Sequence, residues 1–188
     1  MPILEGEGVT KNFGGLSAVH KVDFRIDRGE IVGLIGPNGA GKTTLFNLIS
    51  GALPTSSGEI KYMNQAITSR KPNTICKMGI ARTFQLIKLF GNMTALENVL
   101  VASFFGFSQR IDQMEAKRES LKLLEFVGLS AVSATPAKEL TLVNQKRLEV
   151  ARGLATKPEL LLLDEMMAGL NSTEVAHAMD LTCLLYTS

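Results

Sequence analysis

Gly36-Pro37-Asn38-Gly39-Ala40-Gly41-Lys42-Thr43-Thr44 is the stretch on which the reading of this chain turns. It fits G-x-x-x-x-G-K-[ST], the phosphate-binding P-loop, at Gly36, Gly41, Lys42 and Thr43. The flanks suit the motif. Glu30-Ile31-Val32-Gly33-Leu34-Ile35 is a short apolar run that reads as a buried strand, and Leu45 to Ser50 reads as a helix ended by Gly51. Strand, glycine loop and helix together turn backbone N–H groups toward an anion, and the helix N-terminus adds partial positive charge. Lys42 is then expected at the β and γ phosphates, and the Thr43 hydroxyl on Mg²⁺. The bland alternative is a glycine-rich turn that binds nothing.

The second informative stretch is Leu160-Leu161-Leu162-Leu163-Asp164-Glu165. Four leucines suit a central strand buried on both faces. A strand delivering Asp164 at its end is the Walker B arrangement, in which the aspartate holds Mg²⁺ through its water shell. Successive side chains on an extended chain point to opposite sides. Glu165 therefore faces away from Asp164 and is the expected general base for an attacking water. The competing reading is a strand that ends in two solvated acids.

The rest of the chain supplies the frame. Its 188 residues suffice for a domain with a core, at 45% hydrophobic and 20% charged. A net charge of +2 with no basic run argues against a nucleic-acid partner. Cys76 and Cys183 lack metal-ligand spacing, so a reducing compartment is expected. No apolar run is long enough to span a bilayer and no signal peptide is visible. A soluble chain is expected, held at any membrane by a partner.

In order, Ile3–Val9 is expected as an edge strand and Thr10–Gly15 as a polar turn carrying Phe13. Val19–Ile26 alternates like a half-buried strand, with Val22, Phe24 and Ile26 on one face. Asp27–Glu30 reads as a tight turn, Pro54–Gly58 as a loop, Glu59–Met63 as a strand and Ser69–Asn73 as surface. Gly79–Phe84 is a strand candidate. Thr94 to Glu97 has a capping-box pattern, from there to about Phe126 the helical period dominates, through Ile111, Met114, Leu121, Leu124 and Glu125, and Met93 to about Ala134 is expected as a largely helical insertion. Phe104-Phe105-Gly106-Phe107 within it is either core or an exposed docking patch. Gln145–Ala155 is helical by period.

Taken together, these stretches resemble the nucleotide-binding domain of the ABC (ATP-binding cassette) ATPases. The nearer resemblance is to ATP-binding subunits of branched-chain amino acid importers. It rests on Gly36–Thr44, Gly79-Ile80-Ala81-Arg82-Thr83-Phe84-Gln85, Leu89–Thr94 with Glu97-Asn98-Val99, Arg147–Arg152, and Leu161–Glu165 with Ala168–Asn171. It implies an α/β P-loop fold with a mixed sheet and a helical subdomain. The implied layout is residues 1–92 as the P-loop part of the core, 93–140 as the helical subdomain, and 141–188 running from the signature through Walker B to the D-loop.

The resemblance also implies residue roles. Phe13 stacks on adenine with Val19 beside it, and Gly36, Pro37, Asn38, Gly39, Ala40, Gly41, Lys42, Thr43 and Thr44 hold ATP. Gln85 reaches Mg²⁺ and the attacking water, and Ala168–Asn171 cross a dimer interface. It further implies ATP and Mg²⁺ as cofactors, transmembrane permease subunits and a second cassette as partners, and a place at the cytoplasmic face of the membrane.

Two departures stand out. Where the family reads L-S-G-G-Q, this chain has Leu140-Thr141-Leu142-Val143-Asn144. Thr141 keeps a hydroxyl. Val143 replaces a glycine, and a β-branched side chain there resists positive φ and fills space that a partner's γ-phosphate needs. Met166 also replaces a proline. The second departure is the end: the match fades after about Leu181, and neither His20 nor His177 matches the family's switch histidine. A truncated or artefactual reading frame is expected. The expected function is ATP binding and hydrolysis that powers uptake of a small solute. Its alternative is a nucleotide-binding module without turnover.

Overall fold

The computed structural model describes residues 1–84, 88–106 and 112–164. The chain divides into two compact units, Met1–Ile75 and Cys76–Ser188.

The first unit is built on an antiparallel sheet with strand order β2-β1-β3-β4. Its strands are β1 (Pro2–Phe13), β2 (Leu16–Asp27), β3 (Ser57–Tyr62) and β4 (Gln65–Ala66). The Val22/Phe24/Ile26 alternation appears as expected, half-buried between exposed Lys21, Asp23 and Arg25. The expected edge strand is instead interior: β1 pairs with β2 on one side and β3 on the other. Its glycines explain the difference. A Cβ on Gly6 would stand 2.3 Å from Cε1 of Phe24, so the glycine makes room for a ring from the neighbouring strand. The expected turn at Thr10–Gly15 shrinks to Gly14-Gly15, because Thr10 to Phe13 continue the ladder to the pair Phe13↔Leu16.

The turn at Asp27–Glu30 forms as expected, closed by Glu30 N–H on the Asp27 carbonyl and by Asp27 N–H on the Glu30 carboxylate. The strand expected next does not form. Residues 31–35 pair with no strand among the described residues, and Ile35 is 94% exposed. A continuous apolar run says that a segment is suited to burial on both faces; it becomes a strand only where neighbours satisfy its backbone groups. Leu4, Val9, Ile60 and Tyr62 of the sheet and Leu48 and Ile49 of α1 (Lys42–Ile49) are among the buried residues of this unit. A short helix, α2 (Pro72–Lys77), opens on a proline within the stretch expected only to be surface.

In the second unit, β5 (Ile80–Arg82) and β6 (Leu160–Leu162) run parallel, in register from Ile80↔Leu160 to Arg82↔Leu162. The leucine strand is less enclosed than its composition predicts: Leu160 and Leu161 are half-buried, and β5 is its partner among the described residues. Helices α3 (Ala95–Phe105), α4 (Gln113–Phe126) and α5 (Leu142–Ala155) share a core that includes Val99, Leu124, Leu148 and Val150.

The Thr94–Glu97 capping box is present in both directions. Glu97 N–H donates to Thr94 Oγ1 at 3.2 Å, and Thr94 N–H donates to the Glu97 carboxylate at 2.8 Å. Asn98, fully buried, folds the preceding loop onto α3. Its amide donates to the carbonyls of Phe90, Met93 and Thr94, and its Oδ1 accepts from Phe90 N–H. Phe104 and Phe105 are 39% and 74% exposed, so neither is core; Phe107 and Ile111 lie outside the described residues. No helix among the described residues is long and apolar enough to cross a membrane.

Candidate functional site

The glycine loop is shaped from both ends. Ala40 N–H donates to the Pro37 carbonyl at 3.2 Å, and Leu45 N–H to the Gly41 carbonyl at 2.8 Å, which starts α1. Gly41 is the N-cap in the left-handed region at φ 85°, with no side chain capping the helix. A Cβ there would lie 2.2 Å from the Ala18 carbonyl oxygen of β2. Glycine is required twice over, by the dihedral angle and by the approach to β2. That approach places the loop beside Val19, which is 6% exposed.

Lys42 arches back over the loop. Its ammonium donates to the carbonyls of Gly36 at 2.7 Å and Pro37 at 2.8 Å. Gly36 to Thr44 thus combine an uncapped helix N-terminus, a tight glycine backbone and a localised cation, the donor set a polyphosphate needs. Phe13 stands at the hairpin end of β1, 46% exposed, with the Lys11 ammonium 5.2 Å from its ring centre. An exposed ring at this position is not a core phenylalanine, and its face can stack on a flat base.

The second unit carries Asp164, just past β6 and 4% exposed. The Arg82 guanidinium of β5 meets it, Nη2 to Oδ2 at 2.9 Å, with both side chains 4% exposed. Asp164 N–H donates to Thr83 Oγ1 at 3.1 Å. The parallel register makes this pairing: Arg82 ends β5 opposite Leu162, two residues before Asp164. Among the described residues no group of three or more His, Cys, Asp or Glu is arranged to hold a metal.

Of the signature stretch, Leu140 is buried and Thr141 is the N-cap of α5, its Oγ1 accepting from Asn144 N–H at 3.3 Å. The Thr141 hydroxyl proton is still free to donate. Val143 lies inside the first turn of α5 and has no positive φ. The expected backbone strain at Val143 is therefore absent, because a residue already in the helix needs only right-handed dihedral angles. Only the bulk of its side chain separates it from glycine. Gln85, Glu165, Met166, Ala168–Asn171 and His177 lie outside the described residues.

Sequence reasoning missed three polar groups. The Arg82–Asp164 pair joins residues far apart in sequence, which no local pattern reveals. Glu149 is 7% exposed on α5 and its Oε1 accepts from Phe84 N–H at 3.2 Å. Burial pushes its carboxyl above the usual carboxylate range, against hydrogen bonds from the main chain of Phe84 and Lys88 and the nearby Arg152 charge. Arg152 sits one turn on, its guanidinium 4.9 Å from the Phe90 ring centre, and burial lowers its pKa. A signal was available: Arg152 stands four residues after Leu148, on the apolar period of the helix.

Three comparisons bear on this arrangement. The family model described as ABC transporter matches residues 19–168. The high-affinity branched-chain amino acid transport ATP-binding protein LivG of Escherichia coli (strain K12) is 42% identical over 92% of this chain and 72% of its own length. The probable branched-chain amino acid transport ATP-binding protein LivG of Archaeoglobus fulgidus is 35% identical over 95% of this chain and 73% of its own. Among solved structures, MJ1267, an ATP-binding cassette of an ABC transporter, superposes with a TM-score of 0.88 at 32% identity, covering 100% of this chain and 78% of that one. The dimeric ATP-binding cassette MJ0796, in a post-hydrolysis state bound to ADP and Pi, gives 0.86 at 27%, covering 97% and 82%. With its glycine loop inside the matched stretch and its whole length superposable on solved cassettes, the chain belongs to the ABC transporter family and is an ATP-binding cassette of the P-loop fold.

Proposed function

We propose that this chain is the ATP-hydrolysing subunit of an importer of branched-chain amino acids, working as one of a pair of cassettes against permease subunits at the cytoplasmic face of the membrane. The observation that carries the reading is the packing of Gly41 on Ala18, which fixes an uncapped helix N-terminus and the Lys42 ammonium around one loop. The names of its relatives supply the substrate class.

In this reading Phe13 stacks on adenine with Val19 beside it. The loop from Gly36 through Pro37, Asn38, Gly39, Ala40 and Gly41 to Thr44 wraps the phosphates with its N–H groups. Lys42 leaves the carbonyls of Gly36 and Pro37 for the β and γ phosphates. The Thr43 hydroxyl, Asp164 through water, and Gln85 would hold Mg²⁺, which supplies charge neutralisation on the phosphates. Glu165 accepts the proton of the attacking water, and Gln85 orients that water. Leu140, Thr141, Val143 and Asn144 face the nucleotide of the partner cassette, to which the Thr141 hydroxyl donates. The three-part layout of 1–92, 93–140 and 141–188 belongs to the same proposal.

Transport tests it. Membrane vesicles carrying this chain with the permeases of its own source are expected to take up leucine, isoleucine or valine only with Mg-ATP on the cassette side. ATP hydrolysis without uptake of any of the three would contradict the assigned substrate class.

A further inference from the structure

We propose that Glu149 and Arg152, one turn apart on α5, are positioning residues for ATP hydrolysis that clasp the main chain at Phe84 and Lys88. The proposal rests on the role given above to Gln85, which lies between those two residues.

The clasp is made of main-chain contacts. Glu149 takes the N–H of Phe84 at 3.2 Å. Arg152 Nη1 donates to the Lys88 carbonyl, so the chain is held at Phe84 and at Lys88 from one helix face. Rings and cations close the cluster. The Lys88 ammonium is 4.6 Å from the centre of the Phe84 ring, and the Arg82 guanidinium is 5.1 Å from it.

A core-packing role does not account for these residues. Burying a carboxylate and a guanidinium in a helix face is unfavourable where an apolar pair would pack as well. Yet Glu149 is buried, Arg152 is half-buried, and the Arg152 Nε is buried with no hydrogen-bond partner among the described residues. What the two charged groups provide, and apolar ones cannot, is directional hold on the chain at Phe84 and Lys88. Their helix begins at Thr141, in the signature stretch. The clasp therefore ties the approach to Gln85 to the element that carries the signature. Groups that act on a reacting water need such fixed support, because small misplacements carry large kinetic penalties.

The test combines kinetics with amide hydrogen exchange on the full chain. Glu149→Ala is expected to lower kcat by about 10- to 100-fold with KM for Mg-ATP changed by no more than about twofold. Glu149→Gln keeps an acceptor oxygen and is expected to recover most of that loss. In a Gln85→Ala background, Glu149→Ala is expected to add little, since both act through one group. In the parent protein the amide of Phe84 is expected to exchange at least about 100-fold slower than open chain.

A folded Glu149→Ala with normal kcat overturns the clasp, as does a full additive loss on top of Gln85→Ala. If Glu149→Ala does not fold, the parent's exchange decides: an open-chain rate at Phe84 overturns the clasp and protection upholds it. Full turnover in Gln85→Ala would instead overturn the role of Gln85, leaving the exchange result intact.

Discussion

Lys42→Ala is expected to lower affinity for Mg-ATP by about 100-fold or more while leaving the thermal stability of the chain nearly unchanged. Lys42 already makes two short contacts, to the carbonyls of Gly36 and Pro37, from the first position of α1. These show that its ammonium is aimed over the loop rather than into solvent. Exchanging those carbonyls for phosphate oxygens replaces neutral acceptors by charged ones. A hydrogen bond to a charged group contributes about 1.5–3 kcal/mol, so losing two of them is a loss of about 3 kcal/mol or more. At about 1.4 kcal/mol per factor of ten, that is at least about 100-fold in affinity. Calorimetric titration measures it. A change below about threefold would mean that the loop does not bind nucleotide through this lysine.

Arg82→Met is expected to destabilise the chain by about 3–5 kcal/mol, because it strands Asp164 as an uncompensated buried carboxylate. Arg82 and Asp164 are each 4% exposed and meet at 2.9 Å, so neither has water to replace its partner. Asp164→Asn is expected to be costly for the converse reason. The double variant Arg82→Met/Asp164→Asn is expected to lose clearly less than the sum of the two, the signature of directly coupled groups. Urea midpoints with unchanged slopes give the energies. Additive losses within about 0.5 kcal/mol would show that the two side chains do not act as a pair.

What was legible in the sequence was what short-range chemistry decides. The α1 helix, the Thr94–Glu97 capping box and the alternation through Val22, Phe24 and Ile26 each depend on residues within a turn or a strand of one another, and each is present. The glycine loop was legible for the same reason, since its fixed positions encode backbone angles rather than distant contacts. Ile31–Ile35 failed as a strand because apolarity states a preference for burial and is silent about pairing.

The central place of β1 was hidden by Gly6 and Gly8, which look like strand breakers until Phe24 is seen across the ladder. At Val143 the family pattern suggested a positive φ, whereas the helix that Thr141 caps had already begun. The Arg82–Asp164 pair and the hold of Glu149 on Phe84 join residues 82 and 65 positions apart, and only the fold brings them together.

The most direct test of the account is phosphate release by the purified chain with Mg-ATP, measured beside Glu165→Gln. Removing a positioned general base lowers turnover by about 10²- to 10⁴-fold. Steady release by the parent chain is expected, with a loss of that size in Glu165→Gln and nucleotide binding retained in that variant. Tight binding that Lys42→Ala abolishes, with no phosphate release from the parent chain, would contradict it and leave a nucleotide-binding module without turnover.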